Sequence, residues 1–136
     1  MIQLILHLIG DYVTQSDWMA QNKTKQSLPA FCHAVVYSLP FLLIGSCAAW
    51  VVIMSTHFLI DRFRLARYVV YGKNFLAPKF WCKSGEAITT LWWRPWAECS
   101  ATGYHDTAPA WLAVWLMIAA DNTLHLAINY CSLKWL

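Results

Sequence analysis

Trp50 to Arg67 reads WVVIMSTHFLIDRFRLAR, an apolar run that holds His57 and Asp61 four residues apart. Residues at i and i+4 share one helical face, so on a helix this imidazole and this carboxylate point the same way. The pattern recurs at His7 and Asp11 in LILHLIGDYV. It appears reversed at Asp121 and His125 in AADNTLHLAI. Three such couples, each inside an apolar segment, predict helices that converge on one polar site.

Composition describes the surroundings of that site. The 136 residues are 59% hydrophobic and 12% charged, with nine Trp, whereas soluble domains carry about 25% charged residues. Gln26 to Ile60 has no Asp, Glu, Lys or Arg, a run far longer than the roughly 20 residues needed for one membrane crossing. A membrane protein is expected, with the lipid bilayer as its partner. The net charge of +3 is small. Its basic residues cluster at Lys23/Lys25, Arg62/Arg64/Arg67 and Lys73/Lys79/Lys83, where flanks of apolar segments set orientation. No basic face with spaced aromatics points to nucleic acid.

Five Cys without a C-x-x-C leave the redox compartment open. Cys32, Cys47 and Cys131 read as small core residues, and Cys82 and Cys99 share a loop. The N-terminus lacks the basic start and the cleavage site of a signal peptide, so the first segment is expected to stay.

In chain order, residues 1–21 predict a first helix with Gly10 allowing close helix approach. Ser16 to Ser27 reads as a loop or frayed end. Leu28 to Cys47 is a second helix, with Pro29 in its first turn, a kink at Pro40 and a tight turn at Gly45-Ser46. Ala48 to Tyr71 is the third helix, with Gly72 as its stop. Residues 72–108 hold Pro78, Pro95, Gly85, Gly103, Trp81, Trp92, Trp93 and Trp96. They read as an interfacial cap, with a short helix around Glu86 to Trp93. Asp106 or Thr107 would cap a fourth helix, Pro109 to Lys134. The expected fold is therefore all-α, one integral-membrane domain over 1–136. It is a four-helix polytopic membrane bundle with a Trp-rich insert between helices 3 and 4. The basic clusters put the open ends of helices two and three in the cytoplasm and the Gly45-Ser46 turn on the other side.

An ionised Asp at the centre of a membrane helix costs about 2.5–3.5 kcal/mol, so three unpaired ones cost roughly 8–10 kcal/mol. They must pair, face water, be protonated or bind a cation. Imidazole and carboxylate together suit a divalent metal such as zinc, manganese or iron. The candidate ligands are His7, Asp11, His33, His57 and Asp61. Asp121 and His125 are the candidate catalytic pair, and Gln15 and Asn122 the outer residues that orient the ligands. These exceed the three or four ligands of one zinc. Either two metals share the site, or some of the residues are orienters and bases. Plainer readings stand beside this one. His33 can be a packed core histidine, Asp61 can pair with Arg64, and the outer couples can be interhelical hydrogen bonds. His105 beside Asp106 reads as surface. Arg64 shares the face of His57 and is either a headgroup ligand or an orienting flank.

At these residues the chain resembles a family of small integral-membrane proteins of unknown function from phages and bacteria. The shared features are H-x-x-x-D followed by Gln and an Asp-Trp-Met-like stretch, a downstream His, a second H-x-x-x-D and a C-terminal Asp-x-x-x-His. They fall on His7, Asp11, Gln15, Asp17-Trp18-Met19, Lys23, His33, His57, Asp61, Asp121 and His125. The likeness covers roughly 1–71 and 115–130. The layout is also similar to that of membrane-bound metal-dependent hydrolases of bacterial inner membranes. The resemblance implies a bacterial inner-membrane location, including that of a phage-infected host.

The expected function is metal-dependent hydrolysis of a lipid-linked or phosphate-containing substrate, in a protein small enough to need a homodimer to close its site. One alternative is a non-enzymatic phage-type effector that alters the host envelope or blocks a host or competing-phage function. A second is proton or cation passage along the buried groups. No motif for nucleotide, haem, flavin or a Ser/Cys nucleophile is present.

Overall fold

The computed structural model describes residues 1–73, 96–104 and 108–136. Among them are six α-helices and no β-strand.

Helix α1, Ile2–Leu8, continues through a π-helical turn, Ile9–Val13, which closes where the Thr14 N–H donates to the Ile9 carbonyl at 2.9 Å. Ser16 then accepts from the Met19 N–H and caps a separate helix, α2, Asp17–Asn22. The first helix thus ends at Val13 and not near residue 21. Part of the polar stretch read as a loop is a capped helix, because a serine hydroxyl can restart what the π turn ended.

Helix α3, Ser27–Ser38, carries Pro29 in its first turn, where a missing N–H is no loss. At Pro40 the chain does not kink within an α-helix. It tightens into a 3₁₀ turn, Leu39–Leu43, because proline withholds the donor that an α turn needs. The Gly45-Ser46 turn forms where the sequence places it. The Ser46 hydroxyl accepts from the Ala49 N–H, capping α4, and donates to the Leu136 carbonyl at 2.9 Å.

Helix α4, Cys47–Phe63, stops at Arg64, which takes a left-handed conformation with φ 52° and ψ 48°. The Leu65 N–H reaches the Ile60 carbonyl and the Arg64 N–H reaches the Asp61 carbonyl, the paired bonds of a Schellman cap. The long third helix is therefore two, α4 and α5, Ala66–Lys73, and Gly72 lies inside α5. Helix α6, Ala110–Trp135, matches its expected span within a residue. The helix expected around Glu86 to Trp93, Cys82, His105 and the Asp106/Thr107 cap lie outside the described residues.

The chain forms two compact units. One is Met1–Leu65 with Asp121–Leu136, the other Ala66–Ala120. In the first, α3 packs on α4 around Tyr37, Phe41 and Ile53, flanked by Leu6 and Leu133. A Cβ at Gly10 would run into the Tyr37 ring, so glycine lets the π turn sit directly on α3. Much of this unit's interior is polar: His7, His33, Ser38, His57, Asp61, His125, Asn129 and Ser132 are buried. Ile2, Leu4, Ile5, Leu28, Phe31, Leu42, Val51 and Leu59 face outward. In the second unit Tyr68 stacks on Trp96 at 5.1 Å, with the Arg67 guanidinium over both rings.

Helix α6 is the one described helix long and apolar enough to cross a membrane. Ile2–Val13 and Ser27–Leu43 are apolar but shorter. Among the described residues four full-length crossings are thus not found, the first and third expected helices being divided at Val13 and Arg64.

Candidate metal centre

Three elements of the first unit each bring chemistry to one point. The π turn carries Asp11, α3 carries His33, and α4 carries His57 and Asp61 one turn apart. The His33 Nε2 and His57 Nε2 atoms are 3.0 Å apart. His33 Nε2 is 3.1 Å from Asp11 Oδ1 and 3.2 Å from Asp61 Oδ2. His57 Nε2 is 3.2 Å from Asp61 Oδ2 and 3.5 Å from Asp11 Oδ1. Each of the two imidazole nitrogens thus lies within 3.5 Å of the other and of one oxygen of both carboxylates. An ion held at about 2.0–2.1 Å by four N/O ligands has tetrahedral edges of about 3.3–3.4 Å, which the five distances bracket.

Hydrogen bonds alone account poorly for the same contacts. One imidazole nitrogen offers one proton or one lone pair, yet His33 Nε2 meets His57, Asp11, Asp61 and Lys23. Meanwhile the Nδ1 atoms of both His33 and His57 are buried without a hydrogen-bond partner among the described residues. Both rings turn Nε2 to the shared point, and more groups meet there than one ring nitrogen can bond, which favours a common cation over a set of pairwise bonds. The ligand atoms of Asp11, His33 and His57 lie within 4.8 Å of one another, as do those of His57, Asp61 and His125, so each group is close enough to hold a metal ion. Zinc, manganese and iron all accept this donor set.

Lys23, read in the sequence as an orienting flank, belongs to the site. Its Nζ is 2.9 Å from Asp61 Oδ2, 3.3 Å from His33 Nε2 and 2.9 Å from Gln15 Oε1. Asp61 therefore pairs with Lys23, not with Arg64, which ends its helix in a left-handed turn. The loop carrying Lys23 is held back against α4 by Arg62, whose guanidinium donates to the Thr24 carbonyl and to Ser27 Oγ.

His7 stands beside the four donors and not among them. The Tyr37 oxygen accepts from Asn129 Nδ2 at 2.7 Å, so its own proton goes to His7 Nδ1 at 2.8 Å. His7 then carries its proton on Nε2, facing Asn122 Oδ1 at 3.3 Å, and Asn122 donates onward to Tyr12. The Tyr37 ring stacks on His57, with centroids 3.7 Å apart and planes 20° apart, and so fixes that ring's plane. Tyr37 and Asn129 were not among the sequence candidates. The i+4 rule that found the others points to them, since Tyr37 follows His33 by four and Asn129 follows His125 by four.

His125 Nε2 lies 3.5 Å from Asp61 Oδ1 and 3.5 Å from Asp121 Oδ2. Asp61 thus turns one oxygen to His33, His57 and Lys23 and the other to His125. Asp121 is the more open of these acids, with its side chain 23% exposed against 4% for Asp61.

Residues 1–81 match the model of a family described as protein of unknown function, DUF3307, and the chain belongs to that family. The match includes Asp11, Gln15, Lys23, His33, His57 and Asp61 and stops short of Asp121 and His125. No curated protein and no solved structure matches the chain significantly.

Proposed function

We propose that this DUF3307 protein is a metal-dependent hydrolase of the bacterial inner membrane, acting on a lipid-linked or phosphate-containing substrate. The observation that carries the reading is the four-donor group of Asp11, His33, His57 and Asp61 with the Lys23 ammonium beside it.

A membrane setting is supported by the first unit, which buries eight polar side chains while Ile2, Leu4, Ile5, Leu28, Phe31, Leu42, Val51 and Leu59 are exposed. It is supported again by α6, long and apolar enough to cross, which buries His125, Asn129 and Ser132 and exposes Trp111, Val114, Trp115 and Tyr130. Exposed Trp111 and Trp115 near one end of α6 and Trp135 at the other lie roughly 36 and 30 Å apart at 1.5 Å per residue. That is the spacing of two aromatic belts. Ser27–Leu43, twelve α and five 3₁₀ residues, reaches about 28 Å. With α4 at about 26 Å, it forms a hairpin just long enough to cross. Helix α1 with its π turn is too short and enters only part-way. Lys23, Lys25 and Arg62 mark the cytoplasmic end, so the site lies toward that end, where Lys23 pairs with Asp61.

When bound, a divalent ion lowers the pKa of a coordinated water and polarises the scissile group. The chain's own residues do the rest. Asp11 and Asp61 supply the negative charge that holds the ion, and His33 and His57 complete the donor set. Tyr37 keeps the His57 ring in plane. Lys23, 19% exposed where His33, His57 and Asp61 are buried, presents a positive charge to an anionic group arriving at the cytoplasmic edge, and Gln15 aims it. Lipid-linked phosphates and pyrophosphates fit that edge.

The test uses full-length protein in liposomes containing lipid-linked phosphates, with phosphate release as the readout. Release that stops on chelation, returns with zinc or manganese, and is absent in His57→Ala supports the proposal. Release indifferent to chelator and to His57→Ala, or none from metal-loaded protein, overturns it.

A further inference from the structure

We infer that Asp61 bridges two metal ions, the second held by His125 and Asp121 on the far side of its carboxylate. The inference rests on the first centre proposed above and adds to it a site of its own.

Three observations lead there. First, the two oxygens of Asp61 diverge: Oδ2 faces His33 and His57 at 3.2 Å each, and Oδ1 faces His125 Nε2 at 3.5 Å. Second, His125 is 2% exposed, and its Nε2 has no hydrogen-bond partner among the described residues. That nitrogen is equally near two carboxylate oxygens, 3.5 Å from Asp61 Oδ1 and 3.5 Å from Asp121 Oδ2. Those distances exceed the usual N–H···O range of about 2.7–3.2 Å. They match the edge of about 3.3–3.4 Å between two donors on one ion. Third, the ligand atoms of His57, Asp61 and His125 lie within 4.8 Å of one another and are all buried, so His125 stands beside two residues of the first centre.

A carboxylate shared in this way places two ions about 3.5–4 Å apart. Without an ion, His125 Nε2 meets the two acids only at 3.5 Å, beyond ordinary hydrogen-bond length. A divalent ion at that point satisfies all three groups. Asp121, the most exposed of them, leaves one side of the second ion open. Asp121 and His125 then act as ligands in place of the acid–base pair expected from their spacing. The ligand class is a small divalent cation with affinity for N/O donors, zinc or manganese.

The experiment is metal counting on full-length protein in detergent, stripped with a chelator and reloaded with zinc alone or manganese alone. Two ions per chain are expected in the wild type, one in His125→Gln and one in His33→Gln. Manganese-loaded wild type should give the multiline paramagnetic resonance spectrum of an exchange-coupled pair, and either variant the six-line spectrum of a single ion. The coupled signal needs no variant, so it stands even where a substitution fails to fold. One uncoupled ion per chain in the wild type, lost in His33→Gln, overturns the second centre and leaves the first. Two ions that survive His125→Gln also overturn it. No bound ion overturns both centres.

Discussion

Removing a single oxygen atom tests how the centre is held. In Tyr37→Phe the ring stays and keeps its place on His57, while the hydroxyl that joins His7 Nδ1 to Asn129 Nδ2 is lost. Both partners are buried, His7 fully and Asn129 at 2% exposure, so neither recovers the bond with water. Each stranded polar group costs about 1–3 kcal/mol. Allowing the Asn129 amide some rotation, the net loss is about 2–4 kcal/mol. The assay is equilibrium unfolding of the detergent-solubilised protein, wild type against Tyr37→Phe, with metal content measured on the same samples. Stability should fall by that amount and metal content should hold. In an Asn129→Ala background the same substitution should cost visibly less, because one of its two stranded groups is already gone. A change below about 0.5 kcal/mol, the range of ordinary surface substitutions, would refute the network as drawn. Loss of the ion would show that the hydroxyl, and not the ring, holds the centre.

Four further outcomes follow from the same geometry. Arg64→Gly relieves a left-handed residue and should stabilise the protein by about 0.5–1 kcal/mol, read as a higher unfolding midpoint. Gly10→Ala drives a Cβ into the Tyr37 ring and should destabilise by about 1–3 kcal/mol in the same measurement; a neutral result would mean the π turn is not pressed on α3. Lys23→Met removes a cation that competes for Asp61 Oδ2, so metal should bind roughly tenfold tighter, about 1.4 kcal/mol, in a chelator competition while phosphate release falls. Alkaline carbonate washing of expressing membranes should leave the chain in the pellet, and its release into the wash would contradict the membrane setting.

Sequence and structure agree where local chemistry decides and part where tertiary contacts do. Helix α6 was legible nearly to its ends, because Pro109 precedes a long, mostly apolar run with no interior glycine or proline. The end of α4 was not, because a left-handed cap is usually announced by glycine and here the residue is Arg64. The break after Val13 depends on a π turn packed on the Tyr37 ring, and no single residue encodes that. The His/Asp couples were readable because i,i+4 spacing fixes a shared face before any folding is known. Which couple reaches the centre was not readable. His7 is held aside by Tyr37 and Asn122, while His33, with no acid four residues away, lands in the middle. Lys23 looked like an orienting flank because a lysine beside an apolar segment usually is one. What turns it inward is the Arg62 guanidinium pinning its loop through Thr24 and Ser27.

The most direct test is X-ray absorption at the zinc edge on the full-length, zinc-loaded protein. The expected spectrum shows nitrogen and oxygen neighbours at about 2.0–2.1 Å with outer-shell scattering from imidazole rings, and that imidazole signal weakens in His33→Gln. Sulfur neighbours at about 2.3 Å, or imidazole outer-shell scattering unchanged by His33→Gln, would contradict an ion held by Asp11, His33, His57 and Asp61.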